Sequence, residues 1–165
     1  MTKFCNSKKV GFLGKIPTAS LESDNDNLAL RCKFNFSYYC VQPAGQSFDD
    51  WTHVQVRSLL EKLSHYSKES LKHWQQESIG KSGSVLAIYG SFPTRSDFTH
   101  PPHVPHEVFW GRFRLDHSMR LVGFVIPEKF DGEIQSSCGK RLDSNTFFVV
   151  FLDRDHRFWK GKEAK

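Results

Sequence analysis

Two groups of side chains in the last third of the sequence could do chemistry together. Arg112, Arg114 and Arg120 come first, and the run Asp153-Arg154-Asp155-His156-Arg157 follows. A guanidinium fork matches the oxygens of a phosphate, and an imidazole can give or take a proton near neutral pH. Brought around a single pocket, these groups could cleave an RNA backbone without a metal. The 2′-hydroxyl would attack the adjacent phosphorus while Arg112, Arg114 and Arg120 stabilise the charge building on the phosphoryl oxygens. His156 would protonate the leaving 5′-oxygen, with Glu107 or Asp153 as the base. The same cations could instead hold a polyanion without reaction. Each could also be a solvated charge or a partner of Asp116, Asp153 or Asp155.

The elements that must position these groups read as three strands, over residues 108–115, 120–126 and 146–153. The short Asp116-His117-Ser118 turn pairs the first two as an antiparallel hairpin. Alternation along the first strand puts Phe109, Phe113 and Leu115 on one side and Trp110, Arg112 and Arg114 on the other. That predicts a core face and a basic face. Phe147-Phe148-Val149-Val150-Phe151-Leu152 is apolar at every position, which predicts a central strand covered on both faces. Its charged end would be delivered to the rim of the sheet.

Upstream, Leu28, Leu30, Cys32, Phe34, Phe36, Tyr38 and Cys40 alternate with polar residues and predict one long half-buried strand over 28–40. Its polar side carries Arg31 and Lys33, which could extend the basic face. Ser47 with Asp49 and Asp50 reads as a helix start. Val56, Leu59, Leu60, Leu63, Tyr66, Leu71 and Trp74 recur at helical spacing, with a phase slip at 64–70 that predicts two helices or one bent one, Ser67 serving as a second cap. Trp51 and Trp74 are expected in the core or at helix ends. Residues 1–27 read as a partly ordered arm, 28–159 as a single domain and 160–165 as a frayed tail.

Several chemistries are excluded or disfavoured. Gly80-Lys81-Ser82 is not a phosphate loop, because that pattern needs a glycine where Gln75 stands. His100, His103 and His106 would line one edge of a polyproline helix, but roughly 9 Å apart, too far for one metal ion unless the loop turns back. Neither metal nor cofactor is expected. The four cysteines have no metal-knuckle spacing, and with no secretory leader or membrane span in view the chain reads as cytoplasmic with reduced thiols. The formal charge of +5 points to an acidic partner, nucleic acid ahead of an anionic membrane, with an acidic protein the other candidate.

A first strand, a helical pair and a three-stranded meander, with Phe109-Trp-Gly-Arg-Phe-Arg-Leu, Met119-Arg-Leu-Val-Gly-Phe and His156-Arg-Phe-Trp159, resemble the RelE/ParE superfamily of toxin–antitoxin toxins. The resemblance implies an α+β fold, an antiparallel sheet of about four to five strands with a helical hairpin packed on one face. It also implies a small endoribonuclease that cuts mRNA on the ribosome and is neutralised by an antitoxin, an acidic protein partner covering the basic face. Arg112, Arg114 and Arg120 match that family's phosphate-contacting arginines, and His156 and Trp159 its terminal acid and stacking positions. Arg31, Lys33, Trp110, Arg154 and Arg157 are further candidates for contact with nucleic acid. The alternative is a non-enzymatic binding module or inhibitor that docks the basic face on an acidic protein or on nucleic acid.

Overall fold

The computed structural model describes residues 27–80, 83–116 and 118–160, together with Gly11. The arm expected before Asn27 and the tail beyond Lys160 otherwise lie outside the described residues. The chain is α+β, and its main sheet has five strands. β1 (Lys33–Asn35) is followed by α1 (His53–Tyr66) and α2 (Leu71–Gln76), then by the minor pair β2 (Ser78–Ile79) and β3 (Gly83–Ser84). β4 (Leu86–Gly90), β5 (Phe109–Arg114) and β6 (Arg120–Val125) come next. The small hairpin of β7 (Ile134–Gln135) and β8 (Lys140–Arg141) precedes β9 (Thr146–Asp153). The main sheet runs β1-β9-β6-β5-β4. Its strands are antiparallel except at one edge, where β1 runs parallel to β9 across the long crossover between them.

The long strand predicted over 28–40 shrinks to β1. Leu28–Leu30 is a 3-10 turn with Leu28 and Leu30 exposed. The Asn35 carboxamide accepts the Ser37 N–H at 2.9 Å and bends the chain there, a local competitor that alternation does not register. Beyond the bend the chain still follows β9, with Cys40 N–H on Val150 O at 3.0 Å and Gln46 N–H on Leu152 O at 3.1 Å. These contacts cover an edge that would otherwise invite pairing with another chain.

Helix α1 starts later than Ser47. Ser47 closes a 3-10 turn with Asp50, and the helix itself is capped by Thr52, whose Oγ1 accepts the Gln55 N–H while Gln55 Oε1 accepts the Thr52 N–H. The phase slip is a true break, with Ser70, not Ser67, capping α2 through the His73 N–H. Tyr66 stacks on Phe113 at 5.0 Å and donates its hydroxyl to Arg114 O at 2.5 Å. Trp74 donates to Tyr66 O at 2.7 Å. Trp51 and Trp74 are both buried, as expected. Cys32 is buried as well, its thiol donating to Tyr66 O and pushed up to about 11 by burial, so it is no nucleophile.

The opposite face of the sheet is equally closed over most of its area. Trp110, Val122, Phe124, Val150, Phe151 and Phe158 form a second core with Phe98 and Val104 from the loop between β4 and β5. The expected open basic face is therefore corrected: Trp110 is 1% exposed and belongs to this core.

β9 is an interior strand, second from one edge rather than central, and is buried at every position except the half-buried Phe148, in keeping with its unbroken apolar run. Its register against β6 slips once. Val122 faces Phe151 but Gly123 faces Val149, leaving Val150 as an extra residue. After the bulge the alternation of β9 is inverted, so Asp153 shares a face with Phe151 and stands directly opposite Arg120. Among the described residues, no helix is long and apolar enough to cross a membrane.

Candidate polyanion-binding site

The hairpin β5–β6 gathers three guanidinium groups at one end of the sheet. Arg114 lies directly opposite Arg120, and Arg112 is two residues back on the same face of β5. Like charges facing each other across strands repel, and the site shows it. Arg120 is 1% exposed and its pKa is brought down to about 10, first by burial and then by the charges of Arg112 and Arg114. Arg120 Nη1 donates to Asp116 O and Met119 O, both at 2.8 Å. Arg112 Nη1 and Arg114 Nε are buried without a hydrogen-bond partner. Buried N–H groups left this way are uncommon in folded proteins.

The carboxylate that answers this charge is Asp153, buried opposite Arg120. Its two oxygens also accept the N–H groups of Arg157 at 2.9 Å and Phe158 at 3.0 Å. Asp153 thus closes the loop 154–157 while opposing Arg120, a structural task rather than that of a general base.

Tyr89, at the end of β4, joins the cations to an aromatic platform. It sits at a register shift between β4 and β5, and its hydroxyl takes a very short hydrogen bond from Arg112 Nε. Burial raises the phenol pKa, against the opposing pull of the Arg112 charge. Trp159 lies flat on Tyr89, with ring centroids 4.2 Å apart and planes within 11°. Phe158 is anchored in the core beneath, so its neighbour Trp159 points outward and is 45% exposed.

The other sequence candidates go elsewhere. Arg154 and Arg157 line an open polar notch of about 390 Å³ together with Asp50 and Asp155, and Arg154 Nε lies 3.6 Å from Asp155. His156 is exposed in the loop between these two regions and takes the left-handed backbone conformation at φ 58°. Lys33 is bound to Asp143 at 2.7 Å, and Arg31 precedes β1 on the same edge. Lys33 pairs with Thr146 at the start of β9, so at about 3.3 Å per residue it lies ~23 Å along the strand from Asp153. The structure therefore unites Arg112, Arg114, Arg120 and Trp159 and leaves Arg31 and Lys33 far away. Tyr89 escaped the sequence reading because one tyrosine in a short apolar strand carries no signal of the charge beside it.

The histidines of the β4–β5 loop do not line one edge. His100 and His106 stack on each other at 4.3 Å and 12°, while His103 packs on Tyr38. Among the described residues no group of three or more His, Cys, Asp or Glu could hold a metal ion. His100 Nε2 is buried without a hydrogen-bond partner, and its pKa is lowered, first by burial and then by the charge of His106. The folded state therefore binds fewer protons than the unfolded chain below the ordinary imidazole value of 6.5. Stability should fall as the pH drops through that region, and His100→Gln should flatten the fall. Urea midpoints measured on both proteins at successive pH values check this.

Comparison of this chain with family models, curated proteins and solved structures returns no match.

Proposed function

We propose that this protein binds a polyanionic backbone, RNA before others, at the β5–β6 end of the sheet. The observation that carries the reading is the Arg114–Arg120 cross-strand pair with Arg112 beside it, three guanidinium groups at one end of the sheet with the Asp153 carboxylate opposite Arg120. Phosphate oxygens would be gripped by the reachable parts of Arg112 and Arg114, while buried Arg120 supplies charge from behind. The net charge of +5 favours encounter with such a partner. Cytoplasmic residence and an acidic protein competing for the same arginines complete this reading, in line with the toxin-like order of elements.

Cleavage of the bound RNA is the second reading. Three guanidiniums around one spot are what metal-free stabilisation of a phosphoryl transition state requires. It further requires His156 to swing from its exposed loop to the arginines. Loss of RNA cleavage, or of growth arrest on expression, in His156→Ala with unchanged RNA binding would establish it, and wild-type protein that binds but never cuts would end it.

The binding reading is tested with Arg114→Met, which keeps the stem and removes the charge. Charge-assisted hydrogen bonds contribute about 1.5–3 kcal/mol, so affinity for RNA should fall roughly tenfold or more. The slope of log affinity against log salt should flatten by about one unit. Thermal stability should hold or rise, because a repulsion has gone. Unchanged affinity in this variant overturns the proposal.

A further inference from the structure

We infer that the N-terminal arm of this chain docks by Phe12, Leu13 and Ile16 into a groove at the end of the sheet away from the arginines. Phe109 pairs with Val125 at that end of the β5–β6 hairpin, and Arg114 with Arg120 at the other. The groove has a volume of about 770 Å³, in the range that a ligand or a few side chains fill. Leu30, Leu71, Ile88, Phe109 and Val125 line it. Leu71 and Val125 are buried, but Phe109 is 43% exposed and Leu30 61%, and Leu28, next to the groove-lining Ala29, is 45% exposed. Exposed apolar side chains gathered at a groove, unlike single ones scattered over a surface, mark an interaction site.

The chain itself supplies the occupant. Ala29 and Leu30 form one wall of the groove, so the residues preceding Asn27 leave from its rim. At about 3.3 Å per residue the chain from Ile16 to Asn27 reaches about 36 Å, enough to return across the groove. A tether of this kind holds the segment at a roughly millimolar local concentration, so a weak intrinsic affinity suffices. Gly11 is helical and exposed, with nothing within 4 Å of an added methyl. On a helix at that position Phe12, Leu13 and Ile16 fall on one side and Gly11 on the opposite one. Charge is matched as well. The rim holds Glu128 and Asp131 with Lys72 and Lys129, and the arm carries Lys8, Lys9 and Lys15 before Glu22, Asp24 and Asp26. Neither Glu128 nor Lys72 forms an ion pair among the described residues.

Limited trypsin digestion of the full chain tests this. Trypsin cuts after Lys8, Lys9 and Lys15, and the rate of cutting follows the population of undocked arm. Phe12→Asp and Leu30→Asp should each raise the rate at Lys15 about tenfold or more, the factor expected when one large apolar side chain no longer buries itself. Leu30 is exposed in a 3-10 turn, so its substitution leaves the fold intact, which an unchanged circular dichroism spectrum checks. Phe12→Leu should keep most of the protection. The double Phe12→Asp, Leu30→Asp variant should be cut no faster than either single one, because both changes break the same contact. Equal rates at Lys15 in the wild type and both single variants overturn the inference. Protection that is independent of protein concentration supports it, whereas protection lost on dilution, together with a dimer in sedimentation, puts a second copy in the groove and overturns it.

Discussion

Replacing Asp153 with alanine is expected to destabilise the protein by about 3 kcal/mol or more, because two N–H groups lose a buried acceptor at about 1–3 kcal/mol each and the buried Arg120 loses a favourable charge. Asp153 is 2% exposed and faces Arg120, which is 1% exposed. Without the carboxylate, Arg120 stays in the interior with Arg112 and Arg114 beside it and loses the favourable charge of Asp153. The N–H groups of Arg157 and Phe158 lose their acceptors at the same time, which opens the loop 154–157 and loosens the seat of Trp159. Asp153→Asn should lose less, because its carbonyl oxygen can still accept one of those N–H groups. Urea unfolding at neutral pH with both variants measures the difference. A loss below about 1 kcal/mol for Asp153→Ala would mean that the charge of Arg120 is balanced elsewhere.

Gly123→Ala should cost more than about 3 kcal/mol, at or beyond the upper end of the usual penalty for overpacking. A methyl group on Gly123 would sit 2.0 Å from Phe148 O and 2.8 Å from the Phe147 ring. The first of these is backbone in the centre of the sheet and cannot turn aside. The strand must move or lose its bulge, and loss of the bulge would rotate Asp153 to the face away from Arg120. This substitution should therefore impair polyanion binding as well as stability, although Gly123 touches no site residue. Gly132→Ala provides the contrast. That residue has φ 73° with nothing within 4 Å of the added methyl, so only the left-handed backbone is penalised, by about 1–2 kcal/mol. Comparable losses in the two variants would sink the argument from register.

Both expectations describe one design. Three cations are assembled at the end of a sheet, and the strand register must deliver the buried Asp153 carboxylate to the face on which they stand. Proteins commonly give up stability where they bind or react, and the Arg114→Met variant tests whether the proposed site does so.

The amino-acid sequence by itself determined the meander of β5, β6 and β9 and the α+β class. Patterns that lie within one element, such as the apolar run of β9, the hairpin of β5 and β6, and the helical spacing from Val56 to Trp74, depend on neighbours a few residues apart and are legible without coordinates. It also placed Arg112, Arg114 and Arg120 on one hairpin, because the turn between them is short. What only the tertiary structure decided was the company those arginines keep. The loop that covers Trp110, the bulge at Val150 that turns Asp153 toward Arg120, the pairing of Lys33 with Thr146 that leaves Arg31 and Lys33 at the far end of β9, and the meeting of Tyr89 with Trp159 each join distant segments. A continuous apolar strand has no alternation from which a one-residue slip could be read. Which face Asp153 occupies is set instead by how closely Phe148 O can approach a residue without a side chain on the next strand.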